Sequence, residues 1–173
     1  CYLNNAAIAA RSLAGEDGRV AVLDVDYHHG NGTQLIFYDD PQVFYASLHV
    51  DPDEDYPYYW GGVDEAGEGA GAGTNRNWPL PRGTGDGDYL LALDEAIATV
   101  RRFSPRHLVV SAGFDIVEGD PEGGMAVSRE GLREIGQRIG ALGIPTLVVQ
   151  EGGYLVNDLG QNAVILLQGV AGG

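Results

Sequence analysis

Four apolar segments, each followed by polar and glycine-rich residues, are the feature that most constrains the fold of this chain. The first, RVAVLDV, is continuous in apolar residues, as expected for a strand that is buried on both faces. Stretches with helical patterns separate the four segments. Strands that alternate with helices form a parallel sheet through right-handed crossovers, with helices on both faces. The sequence therefore predicts an α/β fold built on a parallel sheet.

Periodicity and capping residues define the individual elements. Asn4 or Asn5 is placed to cap the first helix, and Ser128 to cap the fourth. The predicted helices are 4–14, 32–39, 87–102, 128–142 and 157–170, and the predicted strands are 19–25, 43–50, 107–113 and 145–150. Residues 51–86 and 114–127 show no period and are predicted to be loops. A loop as long as 51–86 inside a compact domain commonly has a function.

The most polar points of the chain follow the predicted strands, in DVDYHHGNG, SLHVDPDED, SAGFD and QEGGY. Sites in such folds gather beyond the carboxyl ends of the strands. Asp24, Asp26 and His28 are spaced two apart, so their side chains point the same way if the extended backbone continues. Two carboxylates and an imidazole need a cation between them in a buried place. An aspartate at a strand end is also an ordinary turn or capping residue, so this spacing alone leaves both interpretations open.

A third ligand is expected from a neighbouring strand end, where Asp115 follows SAGF. Two aspartates and one histidine form a good zinc set with an open position for water, which is typical of a catalytic site. In the motif EGGY, Gly152 and Gly153 permit a sharp turn and a close backbone approach. Tyr154 would then reach the rim, where a phenol can donate to an oxyanion. A packed loop aromatic is the alternative for Tyr154.

Composition excludes several classes of function. The 173 residues are 44% hydrophobic, which is enough for a core, and their formal net charge is −15. Such a charge repels nucleic acid and attracts cationic ligands. No apolar run is long enough for a transmembrane helix, and no signal peptide is recognised. Cys1 is the single cysteine, so no intrachain disulfide can form, and a cytoplasmic location is expected.

The motifs DVDYHHGNGT, SLH, SAGFD followed by Asp-Pro, and EGGY occur in an order and spacing that resemble the arginase/deacetylase superfamily. Within it the chain resembles the histone deacetylase family, and most of all the bacterial acetylpolyamine amidohydrolases. The stretches CYLNNAAIAA, DEDYPYYWG, GEGAGAGTN, NWPLP and NAVILLQG add to this resemblance, which covers essentially the whole chain.

The resemblance implies a role for each matching residue. Asp26, His28 and Asp115 match the ligands of a catalytic Zn²⁺ or Fe²⁺, and Tyr154 matches the tyrosine that polarises the substrate carbonyl. Tyr56 matches an aromatic residue of the substrate tunnel, and Gly152 and Gly153 fall in the substrate-binding turn. Two K⁺ sites are also implied, the first at Asp24, Ser47 and Leu48 and the second at Phe37, Asp40 and Val43.

One part of the family pattern lies outside this sequence. The family uses a tandem His-His pair for proton transfer, in a motif like Pro-Gly-His-His, upstream of the segment that matches Cys1. His29 does not replace that pair, and His29, His49 and His107 are expected to be structural. The chain also begins without Met. Residues 1–173 are therefore interpreted as the C-terminal part of a single deacetylase domain, with little or no turnover alone.

The expected function is zinc-dependent hydrolysis of a small cationic acetylated amine, by a protein that forms homodimers. Two alternatives are a deacetylase of acetyl-lysine in proteins and a non-catalytic metal-binding fragment. A nucleotide-binding domain is a weak alternative, because HHGNG does not match the pattern GxGxxG.

Overall fold

The computed structural model describes residues 3–15 and 18–173. Cys1, and with it the disulfide argument, lies outside this part of the chain. Five helices are α1 (Asn5–Ala14), α2 (Asn31–Phe37), α3 (Asp86–Phe103), α4 (Arg129–Gly140) and α5 (Val156–Gly172), with a short 3₁₀ turn at Gly69–Gly71. Five strands are β1 (Val20–Asp24), β2 (Val43–Val50), β3 (Asn75–Leu80), β4 (His107–Ala112) and β5 (Thr146–Gln150).

The predicted α/β fold is confirmed. The strands form one sheet in the order β3-β2-β1-β4-β5, and every neighbouring pair is parallel. Helices α3 and α4 pack on one face with the larger apolar core, while α1 and α2 cover the other face. Helix α5 packs mainly on α4. Strands β1 and β2 are buried along their whole length, which explains their apolar sequences.

Two capping predictions are confirmed by the bonds at the helix starts. The Asn4 side chain accepts from the Ala7 N–H at 2.8 Å, and the Ser128 hydroxyl accepts from the Gly131 N–H at 3.0 Å. Both side chains satisfy amide donors that the first helical turn leaves without intrahelical partners. The predicted boundaries of both helices are therefore close to those observed.

The prediction of a continuous loop over 51–86 was wrong, because strand β3 lies inside it at Asn75–Leu80. The four predicted strands are therefore five. The inward-facing residues include Asn75 and Asn77, which are buried but polar, so the segment lacks an apolar alternation. Pro79 also argues against a strand, but β3 pairs with β2 alone and lies at the edge of the sheet, where proline is tolerated.

The strand order creates a crevice beside the central strand β1. From β1 the chain proceeds to β2 and β3 on one side, and then crosses back to β4 on the other side. The connections that leave β1 and β4 therefore diverge, which opens a ligand-sized space beyond their carboxyl ends. Strand β5 follows β4 and has no strand on its far side among the described residues. In that same part of the chain, no helix combines the length and hydropathy that a membrane crossing needs.

Candidate metal centre

Asp26, His28 and Asp115 come together at the crevice beyond β1 and β4. One potential ligand atom from each residue lies within 4.8 Å of the others. The His28 Nδ1 atom is 3.2 Å from Asp115 Oδ2 and 3.5 Å from Asp26 Oδ1. Both aspartates are buried, and His28 is partly exposed. The structure thus assembles the three residues that the sequence predicted to be ligands, from two strand ends far apart in the chain.

Backbone amides hold both carboxylates in place. The Asp115 Oδ1 atom accepts from the Tyr27 N–H at 3.0 Å. Asp26 accepts from the His28 N–H at 2.8 Å through Oδ1, and from the Gly152 N–H at 2.8 Å through Oδ2. Hydrogen bonds to metal-ligating groups fix their orientation. The chain itself therefore fixes the positions of the two carboxylates.

Two glycines make room for this arrangement. A Cβ atom on Gly152 would overlap with the Asp115 and Asp26 carboxylates, and one on Gly113 would overlap with Asp26 and Asp115 in the same way. Neither glycine has the positive φ that would require glycine for conformational reasons. Glycine is therefore needed at both positions because any side chain would occupy the space of the carboxylates.

The group carries the electrostatic signature of a cation site. Burial alone would lower the pKa of His28, but its hydrogen bonds with Asp115 and Asp26 outweigh burial and raise that pKa to about 10. Burial, together with the charge of Asp26, raises the pKa of Asp115 despite its bond with His28. Two buried carboxylates beside one imidazole attract positive charge strongly. Their donor atoms are those of a Zn²⁺ or Fe²⁺ site with an open position.

Asp24 lies behind this group, in a more enclosed place. It accepts from the Asp26 N–H at 3.1 Å and from the Tyr45 hydroxyl at 2.8 Å. Burial and the neighbouring charge of Asp26 raise its pKa well above the ordinary value. Ser47 stands opposite Asp24 in the register of β1 and β2, next to the fully buried Leu48. Binding of K⁺ at Asp24, Ser47 and Leu48 stays a prediction.

The second predicted K⁺ site lies at the end of α2. The Phe37 carbonyl accepts from the Asp40 N–H at 3.1 Å, and the Asp40 carboxylate pairs with Arg11 at 2.7 Å. Val43 begins strand β2 and is buried. The K⁺ at this position also stays a prediction.

His29 and His49 form part of a buried polar network rather than the metal group. Their rings lie 4.5 Å apart, with His29 Nε2 3.1 Å from Gln34 Oε1 and His49 Nε2 3.1 Å from the Gly61 carbonyl oxygen. Burial lowers the pKa of His29 to about 4. Burial and then the proximity of His29 lower the pKa of His49 to about 3. Both imidazoles are therefore neutral near pH 7. His107 begins β4, away from the cleft.

A cleft of about 830 Å³ opens above the metal group, and Asp26, His28, Tyr56 and Tyr154 are among the residues that line it. Tyr56 and Tyr154 are 56% and 47% exposed, and the Tyr56 ring centroid is 6.2 Å from that of His28. Burial, followed by the charges of Asp115 and Asp26, raises the pKa of Tyr154, so its phenol stays a donor. The predicted rim position of Tyr154 thus agrees with the observed geometry.

The turn before Tyr154 has the expected tight backbone. Gly153 has a φ of 128°, and a Cβ atom there would lie 2.8 Å from the Phe114 Cβ atom. Glycine is the residue that adopts this conformation without strain. The turn therefore delivers Tyr154 to the rim of the cleft beside Gly152.

Sequence reasoning missed several residues around the cleft. Asp120 accepts hydrogen bonds from the backbone of Tyr154 and Leu155, and Glu151 accepts from the Ser111 hydroxyl at 3.1 Å. Asp55 bonds with the Tyr27 hydroxyl at 2.8 Å and also pairs with Arg82. These contacts join segments that are distant in sequence, so no periodic pattern predicts them. The available signals were the polarity of the two long loops, for Asp55, Arg82 and Asp120, and the polar end of β5, for Glu151.

Comparison with known proteins gives a consistent result. The family model described as "Histone deacetylase domain" matches residues 1–170. The chain is 48% identical over 173 residues to acetylpolyamine amidohydrolase 1 of Pseudomonas aeruginosa, covering 99% of this chain and 50% of that protein. It is 48% identical over 163 residues to the acetylpolyamine amidohydrolase of Burkholderia pseudomallei, covering 94% and 48% of the two chains.

Solved structures show the same relationship. The crystal structure of acetylpolyamine aminohydrolase from Burkholderia pseudomallei superposes with a TM-score of 0.96 at 47% identity, covering 99% of this chain and 50% of that one. The structure of the histone deacetylase Clr3 superposes with a TM-score of 0.91 at 34% identity, and the match covers 99% of this chain and 30% of that one. The chain spans about half the length of the curated relatives named above.

Proposed function

The chain belongs to the histone deacetylase family, and we propose that it forms the metal-binding, C-terminal part of an amidohydrolase that releases acetate from small acetylated amines. The observation that carries this proposal is the buried group of Asp26, His28 and Asp115 beneath a cleft that Tyr154 lines. The similarity to proteins named acetylpolyamine amidohydrolases supports the substrate class.

Asp26, His28 and Asp115 would hold Zn²⁺ or Fe²⁺, and their two negative charges suit a divalent cation. When bound, the metal would lower the pKa of water and polarise the amide carbonyl. The chain's own residues keep this place ready, because the Gly152 and His28 amides fix Asp26 and the Tyr27 amide fixes Asp115. K⁺ at Asp24, Ser47 and Leu48, and at Phe37, Asp40 and Val43, would add positive charge to this acidic region.

Tyr154 would stabilise the negative charge that develops on the carbonyl oxygen. Its phenol lines the cleft and its pKa is raised, so it is a hydrogen-bond donor at neutral pH. A donor placed where charge develops is worth about 10²–10³ in kcat. Gly152 and Gly153 would let the backbone approach the substrate, while the Tyr56 ring would pack along the alkyl stem and face its cationic end.

Proton transfer needs a further group. The histidines of the chain are His28, His29, His49 and His107. His28 faces the two aspartates, and His29 and His49 bond within the buried network. We therefore propose that another part of the protein supplies the proton-transfer pair and that the chain alone has little turnover. We also place the protein in the cytoplasm and propose that it acts as a homodimer.

Two measurements test this function. The first is the metal content of the purified chain after incubation with Zn²⁺, for which we expect about one ion per chain. The second is hydrolysis of N-acetylputrescine by the chain alone and by the complete product of the gene that encodes it. We expect zinc-dependent turnover by the complete product. Robust turnover by residues 1–173 alone would disprove the assignment of proton transfer to another part, and loss of zinc binding would refute the whole proposal.

A deacetylase of acetyl-lysine in proteins is the second candidate. It is favoured by the chain's 37% identity over 176 residues to histone deacetylase 15 of Arabidopsis thaliana and by the likeness to the Clr3 structure. The ratio of kcat/KM for N-acetylputrescine to that for an acetyl-lysine peptide distinguishes the two. We expect the ratio to exceed one. If the metal binds but neither substrate is hydrolysed, the non-catalytic alternative is correct.

A further inference from the structure

Asp120 bonds to the backbone at the point where the turn delivers Tyr154. Its Oδ2 atom accepts from the Tyr154 N–H at 2.7 Å and from the Leu155 N–H at 3.0 Å, across 34 and 35 residues of sequence. Its Oδ1 atom accepts from the Glu122 N–H at 3.0 Å. Asp120 is 7% exposed, and its carboxylate takes part in no ion pair among the residues that the structure describes. Hydrogen bonds to a carboxylate are stronger than those between neutral groups, and the bond from the Tyr154 N–H is the shortest of the three.

The turn before Tyr154 is anchored at Gly152, which donates to Asp26 Oδ2 and accepts from the Phe114 N–H, and Asp120 holds the backbone that follows. Gly152 and Gly153 precede the tyrosine, and glycine gives a backbone its largest conformational freedom. Tyr154 is about half exposed, so packing of its side chain restricts it weakly. Helix α5 begins directly after Leu155, and no side chain of its own caps it. Asp120 therefore supplies, from a distant loop, an acceptor for the N–H of the N-cap residue Leu155 and places a carboxylate at the start of the helix.

We propose that Asp120 is a positioning residue for Tyr154: its carboxylate clamps the backbone of residues 154 and 155 and so holds the phenol over the Asp26–His28–Asp115 group. This inference rests on the proposed function, since it acts through Tyr154. Displacement of a catalytic group by about 1 Å costs up to about 100-fold in rate. Loss of the clamp should accordingly lower kcat and leave metal binding intact.

A double-mutant cycle in the zinc-loaded complete gene product tests the role in catalysis. We expect Asp120→Ala to lower kcat for N-acetylputrescine by about 10- to 100-fold, with KM changed less than about threefold. Asp120→Asn keeps the size and one acceptor oxygen, and it should recover part of the rate. When Tyr154 is already replaced by Phe, adding Asp120→Ala should lower kcat by less than about a further threefold, because the effects of residues that act as a unit are not additive. An equal loss in both backgrounds would overturn the proposal.

Asp158→Ala is the matched control. Asp158 also lies near the start of α5, but its carboxylate pairs with Arg129 at 2.9 Å on the surface. Its only contact with Leu155 is the helical bond from its backbone N–H to the Leu155 carbonyl, which the substitution leaves in place. Its replacement removes the same charge from the same helix end. We expect kcat to change less than about twofold, which would separate the clamp from a general effect of charge on the helix dipole. A loss as large as that of Asp120→Ala would contradict the clamp.

Amide hydrogen exchange tests the clamp without any assay of activity. In the chain itself, Asp120→Ala should speed exchange of the Tyr154 and Leu155 amides by at least about tenfold relative to Asp158→Ala, with β1 amides unchanged. Equal exchange at residues 154 and 155 in both variants would overturn the proposal. If Asp120→Ala does not fold, Asp120→Asn replaces it in both the kinetic cycle and the exchange measurement. A wild-type gene product without turnover would refute the proposed function, and the exchange rates would still decide whether Asp120 holds this backbone.

Discussion

At the scale of single residues, the Asp26–His28–Asp115 group depends on two glycines as much as on its own three side chains. Asp26 and Asp115 can approach each other because Gly113 and Gly152 leave the space that two Cβ atoms would fill. That Asp26, His28 and Asp115 come together could be predicted, since each follows a strand with a strongly apolar sequence. The need for glycine at 113 could not, because it depends on where a carboxylate from a different strand lies.

The first prediction concerns the ligand Asp115. Asp115→Asn removes one of two negative charges that face His28, and Zn²⁺ affinity should fall by more than about 100-fold, because even residues that only orient ligands contribute about 10- to 100-fold. Competition with a fluorescent zinc chelator measures this affinity. Asp53→Asn, at an exposed loop position, is the control and should bind normally. Unaltered affinity in Asp115→Asn would mean that Zn²⁺ binds elsewhere.

The second prediction concerns Gly152. Gly152→Ala places a methyl group against the Asp115 and Asp26 carboxylates, so it should lower both metal affinity and the free energy of unfolding, the latter by about 1–3 kcal/mol. Gly160→Ala, in α5 with open space around its Cβ position, should instead stabilise the chain by about 0.5–1 kcal/mol through helix propensity. Urea unfolding compares the two. A tolerated Gly152→Ala would show that the carboxylates can move aside.

At the scale of elements, one polar network holds strand β3 and residues 61–65, which follow the aromatic residues of the segment 56–60. The Asn77 Nδ2 atom donates to Gln34 Oε1 at 2.9 Å and to the Gly62 carbonyl at 3.2 Å, and Asn75 donates to the Glu65 carbonyl at 2.7 Å. These bonds fix the chain just beyond Tyr56–Trp60. Sequence patterns located the apolar strands but missed β3, because a strand that faces polar partners carries no apolar period.

The third prediction tests this network. Asn77→Leu keeps the approximate volume but removes the bonds to Gln34 Oε1 and the Gly62 carbonyl, although Asn75 and the Glu65 N–H still donate to these two acceptors. The free energy of unfolding should therefore fall by about 1–3 kcal/mol, the net contribution of two hydrogen bonds. The midpoint of urea unfolding gives the change. Asn157→Ala, at an exposed position of α5, should change it by less than about 0.5 kcal/mol. Equal midpoints for the two variants would show that the network does not depend on the Asn77 bonds.

At the scale of the whole molecule, β5 is the most exposed strand of the sheet, and its outer edge has no partner among the described residues. Strand β5 pairs with β4 alone among the described residues, and Leu147 is 45% exposed on it. An unpaired strand edge with apolar side chains is a template for association. The order of the strands followed from the α/β pattern only in part, since local sequence does not state which strand lies at an edge.

The fourth prediction is that the chain by itself associates as its concentration rises, through the β5 edge. Light scattering after size exclusion should give a mass that grows with loading concentration, and Leu147→Lys should reduce this growth because a charge on an edge strand opposes pairing. Leu91→Lys, on α3 and 67% exposed, is the control and should leave association unchanged. A constant monomer mass at every concentration would contradict the prediction.

The distances in sequence across the metal group also govern how the chain is made. His28 is synthesised 87 residues before Asp115, and Asp26 is synthesised 126 residues before the Gly152 amide that orients it. A nascent chain that still lacks β4 therefore contains Asp26 and His28 without Asp115. If the group binds zinc as proposed, all three ligands are available only after translation has passed β4, and the Gly152 amide that orients Asp26 appears only after β5. Metal held with both carboxylates in their final orientation would therefore mark chains whose five strands have all been made.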